Sequence, residues 1–315
     1  MSPDLPPLAL IAGPTASGKS DLAVRLAQAL GAKGKRAVVI NADSAQVYRD
    51  LKVVSARPTE EDMGGVEHRL YGTWDGAVAC SAADWATAAK REIRDLHADG
   101  AVPILCGGTG LYMRVLLEGI APVPTINSDI RETVRAMDIV ELHHALAAED
   151  PAAADRIHHQ DTTRMQRALE VVRSTGTPLV RWQERKVGGI ANQVDVHAAV
   201  LLPDREWLYD RCNRRFDWML EHGAIAEVEA LLARDIDPAL PVMRAIGVPE
   251  IATYLAEVSP DMSALRSAGQ QATRNYAKRQ YTWFRNQLPK GWPRVAQPED
   301  GLLAFYDLTA RTGDQ

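Results

Sequence analysis

An apolar run, a glycine-bracketed turn and a helix-like repeat follow one another in LALIAGPTASGKSDLAVRLAQAL, residues 8–30. Gly13, Gly18, Lys19 and Ser20 satisfy G-x-x-x-x-G-K-[ST], placed as the pattern requires between a strand and a helix. Glycines let successive backbone N–H groups converge on phosphate oxygens, and the helix that starts near Lys19 aims its positive end at the same anion. Lys19 adds a mobile ammonium, and the Ser20 hydroxyl is a ligand for Mg2+ bridging phosphate oxygens. The loop specifies phosphate; it does not specify ATP.

The alternation of strand and helix patterns continues and predicts an α/β fold with a P-loop type parallel sheet flanked by helices. RAVVINADS (36–44) reads as a buried strand, SAADWATAAKREIRDLHADG (81–100) as a helix closed by Gly100, and VPILCGG (102–108) as the next strand. After Gly119 the pattern changes. Pro122 and Pro124 break the chain, and short helical segments run from Asn127 to about Arg185, with caps expected at Ser128, Asp150–Pro151 and Asp161. VDVHAAVLL (194–202) returns to a strand, and helices follow to about residue 287. The expected organisation is a core of residues 1–120 and 196–315 interrupted by a helical insertion, 121–195.

Cys80, Cys106 and Cys212 are far apart in a chain of 315 residues and read as free thiols of a reducing cytosol. MSPDLPPLAL lacks a basic leader region and its apolar run enters the phosphate loop directly, so a cytoplasmic protein without membrane attachment is expected. A net charge of −5 argues against a generic nucleic-acid binder. Residues 271–290, however, carry Arg274, Lys278, Arg279, Arg285 and Lys290 without an acid, interleaved with Tyr276, Tyr281, Trp283 and Phe284. On a helix Arg274, Lys278 and Arg285 share a face. A docked polyanion and a solvated helix face fit this stretch equally well.

Ligands of parallel sheets bind beyond the carboxyl ends of the strands. Asp43, between VVIN and SAQVY, places a carboxylate there, as Mg2+ ligand, general base or helix cap. CGGTGLY (106–112) brings a second glycine turn with the Thr109 hydroxyl.

Six ordered segments, IAGPTASGKS, NADSAQVYRD, ILCGGTGLY, RMQRALEV, VMRAIG and TRNYAKRQYTWFR, together resemble the tRNA dimethylallyltransferases, also called isopentenyl-tRNA transferases, over about residues 8–287. The resemblance implies transfer of a dimethylallyl group from dimethylallyl diphosphate to N6 of adenine 37, beside the anticodon, in tRNAs reading codons that begin with U. The products are N6-dimethylallyladenosine and diphosphate. It implies that Gly13, Pro14, Thr15, Ala16, Ser17, Gly18, Lys19, Ser20 and Arg215 hold the diphosphate, with Mg2+ on Ser20. Asp43 would be the base that takes the N6 proton, and Thr109 would touch the base or the diphosphate. Asp43, Ser44, Ala45 and Gln46 would line the pocket for a flipped adenine. Arg131 and Thr163, Arg164, Met165, Gln166 and Arg167 of the insertion would contact the anticodon stem-loop, joined by Met243, Arg244, Gly247, Lys278, Arg279, Gln280 and Arg285. The basic stripe then reads as an RNA contact, and the protein as a monomer.

Two departures from the family pattern keep charge: Arg57 in SARPT stands for a lysine and Arg69 in HRL for a histidine, with tuned substrate contacts expected. The insertion is short between Arg135 and Glu141, and no Cys/His zinc module follows residue 290, unlike the extended form of the family. His143–His144 and His158–His159, with Asp155, read as surface or RNA-facing groups. Met165, Leu169 and Val172 read as core packing, and Trp182, Trp207 and Trp218 as packing residues, with one of them as the wall of a prenyl pocket the alternative. The alternatives are a P-loop kinase acting on a small hydroxyl or nucleoside substrate, with the insertion as a lid, and a non-catalytic tRNA-binding scaffold, against which the intact Lys19, Ser20 and Asp43 speak.

Overall fold

The computed structural model describes residues 5–310, so the first four residues of the N-terminal stretch lie outside the described residues. The strands are β1 (Pro7–Ala12), β2 (Ala37–Asn41), β3 (His68–Arg69), β4 (Val102–Gly107), β5 (Gly119–Ile120), β6 (Val187–Gly188), β7 (Asp195–Leu201) and β8 (Arg294–Val295). The helices before the insertion are α1 (Lys19–Gly31), α2 (Glu60–Met63), α3 (Ala82–Ala98) and α4 (Gly110–Glu118). The insertion carries α5 (Ser128–Ala136), α6 (Ile139–Glu149), α7 (Pro151–Arg156), α8 (Thr162–Thr175) and α9 (Leu179–Gln183). After it come α10 (Arg205–Glu221), α11 (Ala224–Leu232), α12 (Val248–Ala256), α13 (Met262–Gln287) and α14 (Tyr306–Ala310).

Six strands form one sheet in the order β3-β2-β4-β1-β7-β8, every neighbouring pair parallel. Parallel strands covered on both faces must be apolar throughout, and Leu8 to Ala12 are each 0% exposed. The chain leaves the central β1 first toward β2 and later toward β7, so the direction of winding reverses beside β1. The crevice at that reversal is where the phosphate loop emerges.

Ser81 caps α3 in a reciprocal box with Asp84, as the start of the predicted helix requires. That helix buries Trp85, whose indole N–H donates to the carbonyl of Asn41 at 2.8 Å and whose ring stacks on Tyr112 at 4.5 Å. The end of β2 is thereby fixed just before Asp43. On the opposite face, Phe305 of the C-terminal segment packs with Leu22 and Leu26 of α1 and Ile104 of β4. Arg25 of α1 donates to the Pro298 carbonyl at 2.7 Å.

The second compact unit spans Leu117–Gly189, against the expected 121–195. Its limits are set by the β5–β6 ladder, in which Gly119 pairs with Gly188 and Ile120 with Val187. Val134, Leu142, Leu146, Met165 and Leu169 form its core. Asn127, not Ser128, caps α5, because its side-chain oxygen accepts from the Asp129 and Ile130 amides. Asp150 and Asp161 cap α7 and α8 as expected.

Replacing Trp85 by Phe keeps an aromatic ring but leaves the Asn41 carbonyl without its buried donor. Urea unfolding of the Trp85→Phe protein should show a loss of about 1–3 kcal/mol. Unchanged stability would mean that this bond does not hold the end of β2.

Candidate active site

Three strand-end loops meet in the first compact unit. The loop after β1 ends at Gly18, whose φ of +87° turns the chain into α1, while Ala16 adopts a left-handed φ of +62°. Lys19 is 8% exposed, and its ammonium donates to the Pro14 carbonyl at 3.3 Å. Two arginines of α10 reach this loop. Arg211, stacked over Trp207 at 4.7 Å, donates from Nε to the Ala16 carbonyl at 2.9 Å. Arg215 donates to the Thr15 hydroxyl at 3.5 Å and to the Ala56 carbonyl at 3.3 Å.

The loop after β2 presents Asp43. Asn41 shapes it: its Oδ1 accepts from the Asp43 amide at 2.9 Å, and its Nδ2 donates to the carbonyls of Asp43 and Leu70, each at 3.1 Å. One Asp43 oxygen accepts from the Ala45 amide at 3.0 Å. The loop after β4 supports this turn from behind. Thr109 Oγ1 accepts from the Ser44 amide at 2.9 Å and donates to the Ser44 hydroxyl at 3.2 Å. The Tyr276 hydroxyl of α13 faces Thr109 and Ser44, and burial pushes its pKa up.

Two cavities open on these loops. One, about 200 Å³, is mainly apolar, with Asp43, Ser44 and Arg215 on its wall among Val54, Phe216, Met219 and Tyr276. The other, about 640 Å³, is lined by Ala16 to Asp21 of the phosphate loop, Lys52, Arg57, Arg211, Arg215 and Trp218. Arg215 is on both walls. Burial pushes the Lys19 ammonium below its usual range, opposed chiefly by the negative charge of Asp43. Arg215 is lowered for the same reason and with the same opposing acid. Burial raises the thiols of Cys106 beside Lys19, of Cys80 and of Cys212 to about 11, so all three are free neutral thiols.

Several expected tRNA contacts fall elsewhere. Gln280 is buried and engaged inside the protein: Oε1 accepts from the Thr15 amide and Nε2 donates to the Gly108 carbonyl, both at 2.8 Å. Met165 is 0% exposed within the core of the insertion, which leaves its neighbours Thr163 and Arg164 at the surface and Gln166 and Arg167 half-buried. Gly247 is buried, and a Cβ there would lie 2.7 Å from Val54, so it serves close packing and offers no surface. Thr109 is not a lining residue of either cavity; it holds the Asp43–Ser44 turn in place. Gln46 is also buried, donating to the Ser55 and Ala56 carbonyls at 3.1 and 2.9 Å. Arg69, expected to tune substrate contacts, is paired with Glu67 at 2.7 Å and Glu92 at 2.9 Å.

Lys278, Arg279 and Arg285 are exposed on the outer face of α13, whereas Arg274 is tied to Asn213 and Gln271. Met243 is half-buried and Arg244 exposed. In the insertion Arg131 is exposed, and the buried Glu170 pairs with Arg135 at 3.1 Å and Arg167 at 3.8 Å. Tyr276, Arg211 and Phe216 are site residues that sequence reasoning did not assign. Tyr276, one helical turn before Gln280, and the apolar Phe216, next to Arg215, left a local signal as packed positions of α13 and α10, whereas Arg211 is exposed and left none.

The donors present fit Mg2+ held mainly by phosphate and water oxygens. The Ser20 hydroxyl and the Asp21 and Asp62 carboxylates line the phosphate-loop cavity, all hard oxygen ligands. Among the described residues no three His, Cys, Asp or Glu side chains gather as a metal cluster. His158 and His159 stack on each other 4.4 Å apart at the surface.

Comparison with known proteins supplies the affiliation. The family described as IPP transferase matches residues 46–287. A protein of Erythrobacter litoralis named tRNA dimethylallyltransferase is 63% identical over 303 residues, covering 96% of this chain and 95% of its own. Its namesake in Sphingopyxis alaskensis is 59% identical over 287 residues, covering 91% and 92%. Among solved structures, the tRNA isopentenylpyrophosphate transferase of Bacillus halodurans superposes with a TM-score of 0.68 at 32% identity, covering 97% and 96% of the two chains. A eukaryotic dimethylallyltransferase described as acting on tRNA gives a TM-score of 0.79 at 27% identity, covering 97% of this chain and 76% of the other. A family match over residues 46–287 and relatives 59–63% identical over more than nine-tenths of the chain show that it belongs to the IPP transferase family, that of the tRNA dimethylallyltransferases.

Proposed function

We propose that this chain transfers the dimethylallyl group of dimethylallyl diphosphate to N6 of adenine 37 in tRNAs reading codons that begin with U. The observation that carries this reading is Arg215, which belongs to the wall of the phosphate-loop cavity and to that of the apolar cavity beside Asp43. A substrate with an anionic end and a small branched apolar end has a matching environment for each. The family names favour this over phosphoryl transfer to a small hydroxyl.

Backbone amides of the loop, Lys19 and Arg215 hold the diphosphate, and Arg211 keeps the loop in shape through the Ala16 carbonyl. As the bond between the allylic carbon and its oxygen breaks, the electron pair passes to the diphosphate, and these cations stabilise the growing charge. The N6 lone pair forms the new C–N bond. Asp43 accepts the proton that N6 loses, and the Asn41 and Thr109 hydrogen bonds hold it in register for this. Mg2+ on Ser20 would supply further charge neutralisation on the leaving diphosphate. The target base reaches the cavity only out of its stack. Exposed Arg131, Thr163, Arg164, Lys278, Arg279 and Arg285 are the cations and hydroxyl we assign to the anticodon stem-loop. A single chain suffices, working in the cytoplasm with its tRNA.

Purified protein, Mg2+, labelled dimethylallyl diphosphate and unmodified tRNA form the test, beside a reaction with labelled ATP. Label should appear on adenine. Asp43→Ala should lower the rate by about 10²–10⁴-fold while leaving diphosphate binding intact. Label absent from tRNA while ATP phosphorylates a small acceptor would overturn the reading.

Lys19 generates a second prediction. Its pKa is held below 10.5 in the folded state, so the unfolded chain binds this proton more tightly and stability rises as pH approaches 10.5 from below. Lys19→Met should remove that rise and be more stable near neutral pH by roughly 1 kcal/mol or more, yet bind diphosphate far more weakly. Equal pH dependence of unfolding in the two proteins would contradict this.

A further inference from the structure

We propose that Glu227 is a positioning residue for the transfer reaction: from α11, outside both cavities, it sets the turn on which Arg215 and Gln46 rest. The proposal rests on the assignment of the phosphate-loop cavity to diphosphate. The turn 52–57 stands between the cavities. Val54 and Ser55 line the apolar one, and Lys52, Val53, Ala56 and Arg57 line the other.

Within the turn the Ala56 amide donates to the Val53 carbonyl at 2.8 Å and the Arg57 amide to the Lys52 carbonyl at 3.0 Å. The amides of Lys52, Val53 and Val54 point the other way, as the first N–H groups of any helical turn do. The Glu227 carboxylate takes all three. It accepts from Lys52 at 2.7 Å, from Val53 at 2.8 and 3.0 Å, and from Val54 at 2.9 Å. An anion in a concave set of backbone amides is a strong, directional lock.

The turn so held includes Ala56 at a φ of +47°, a conformation a non-glycine residue keeps only when its surroundings impose it. The Ala56 carbonyl then accepts from both Arg215, at 3.3 Å, and Gln46, at 2.9 Å. A shift at Glu227 therefore moves Arg215, on the wall of both cavities, and the buried Gln46, which follows Asp43–Ala45 in the chain, together.

The test uses the full chain with Mg2+ and inorganic diphosphate in calorimetry, and dimethylallyl diphosphate and tRNA in steady-state kinetics. Binding by the unsubstituted protein tests the diphosphate assignment itself. Glu227→Gln keeps the shape but sets an NH2 donor against backbone donors, and should raise the diphosphate Kd and the KM for dimethylallyl diphosphate by about tenfold or more, the scale on which supporting hydrogen bonds act. Glu227→Asp should fall between. Glu229→Gln, exposed on the same helix, should match the native protein. Native Kd and KM in Glu227→Gln, with or without a lowered melting temperature, would reduce Glu227 to a structural contact and overturn the proposal. If Glu227→Gln does not fold, native constants in Glu227→Asp overturn it equally.

Discussion

Two cations withdrawn from water dominate the chemistry of this fold. Lys19 and Arg215 both have their pKa values lowered by burial, and Asp43 is the acid that most opposes the shift in each. Their hydrogen bonds go to the Pro14 and Ala56 carbonyls and the Thr15 hydroxyl. Neutral dipoles of this kind satisfy N–H groups without cancelling positive charge. A carboxylate in direct contact would stabilise the empty site and compete with an anionic substrate. The uncancelled charge costs stability in the free protein and, in the function proposed above, would supply affinity for diphosphate, a trade common at functional sites.

Such charges are useful only if the loops around them cannot relax, and Gln280 supplies much of that restraint. Its amide joins the loop after β1 to the loop after β4 by two bonds of 2.8 Å. The fit is close: a Cβ at Gly108 would lie 2.4 Å from Gln280 Nε2 and 3.1 Å from Asp43 Oδ2. Gln280 belongs to the same 26-residue helix that exposes Lys278, Arg279 and Arg285. A polyanion docked on the outer face of α13, as proposed above, would be held by the element that fixes the phosphate loop on its inner face. Register between the two follows from the rigidity of one helix.

Local patterns in the chain made much of this legible. The strand, Gly13, Gly18, Lys19 and Ser20 define the phosphate loop, and VVINADS places Asp43 at a strand end, because both depend on short-range backbone geometry. The same locality explains the expected caps at Asp150 and Asp161. What escaped was the face on which a residue falls in the assembled protein. In residues 271–290 the cations fit a docked polyanion and a solvated face equally well, yet Thr273, Ala277, Gln280 and Phe284 recur every three or four positions and are buried. Separating that inward stripe from the cations needs the helical period as well as the charge count. Met165 fits the helical core stripe and the expected RNA-contact run alike, and periodicity decides for the core. Arg211 and Glu227 lie beyond any local signal, since their partners Ala16 and Lys52 to Val54 are 195 and 173 to 175 residues away.

The two charge-retaining departures illustrate how such long-range fitting works. At position 57 an arginine occupies space that exists only because residue 72 is glycine. A Cβ there would lie 1.8 Å from Arg57 Nη1, and Gly72 itself has a φ of +60°. The guanidinium donates to the Tyr48 carbonyl at 3.4 Å, so it braces the segment after Asp43 while still lining the phosphate-loop cavity. At position 69 the arginine bridges Glu67 and Glu92, tying β3 to α3, and these acids raise its pKa. Arg69 is thus paired with acids, whereas Arg57 keeps its charge on the wall of the phosphate-loop cavity. Arg57 links Tyr48 to the turn at Gly72, and Arg69 ties the end of the same stretch to α3. An exchange at either position has to be judged with its partners, Gly72 for one and Glu92 for the other.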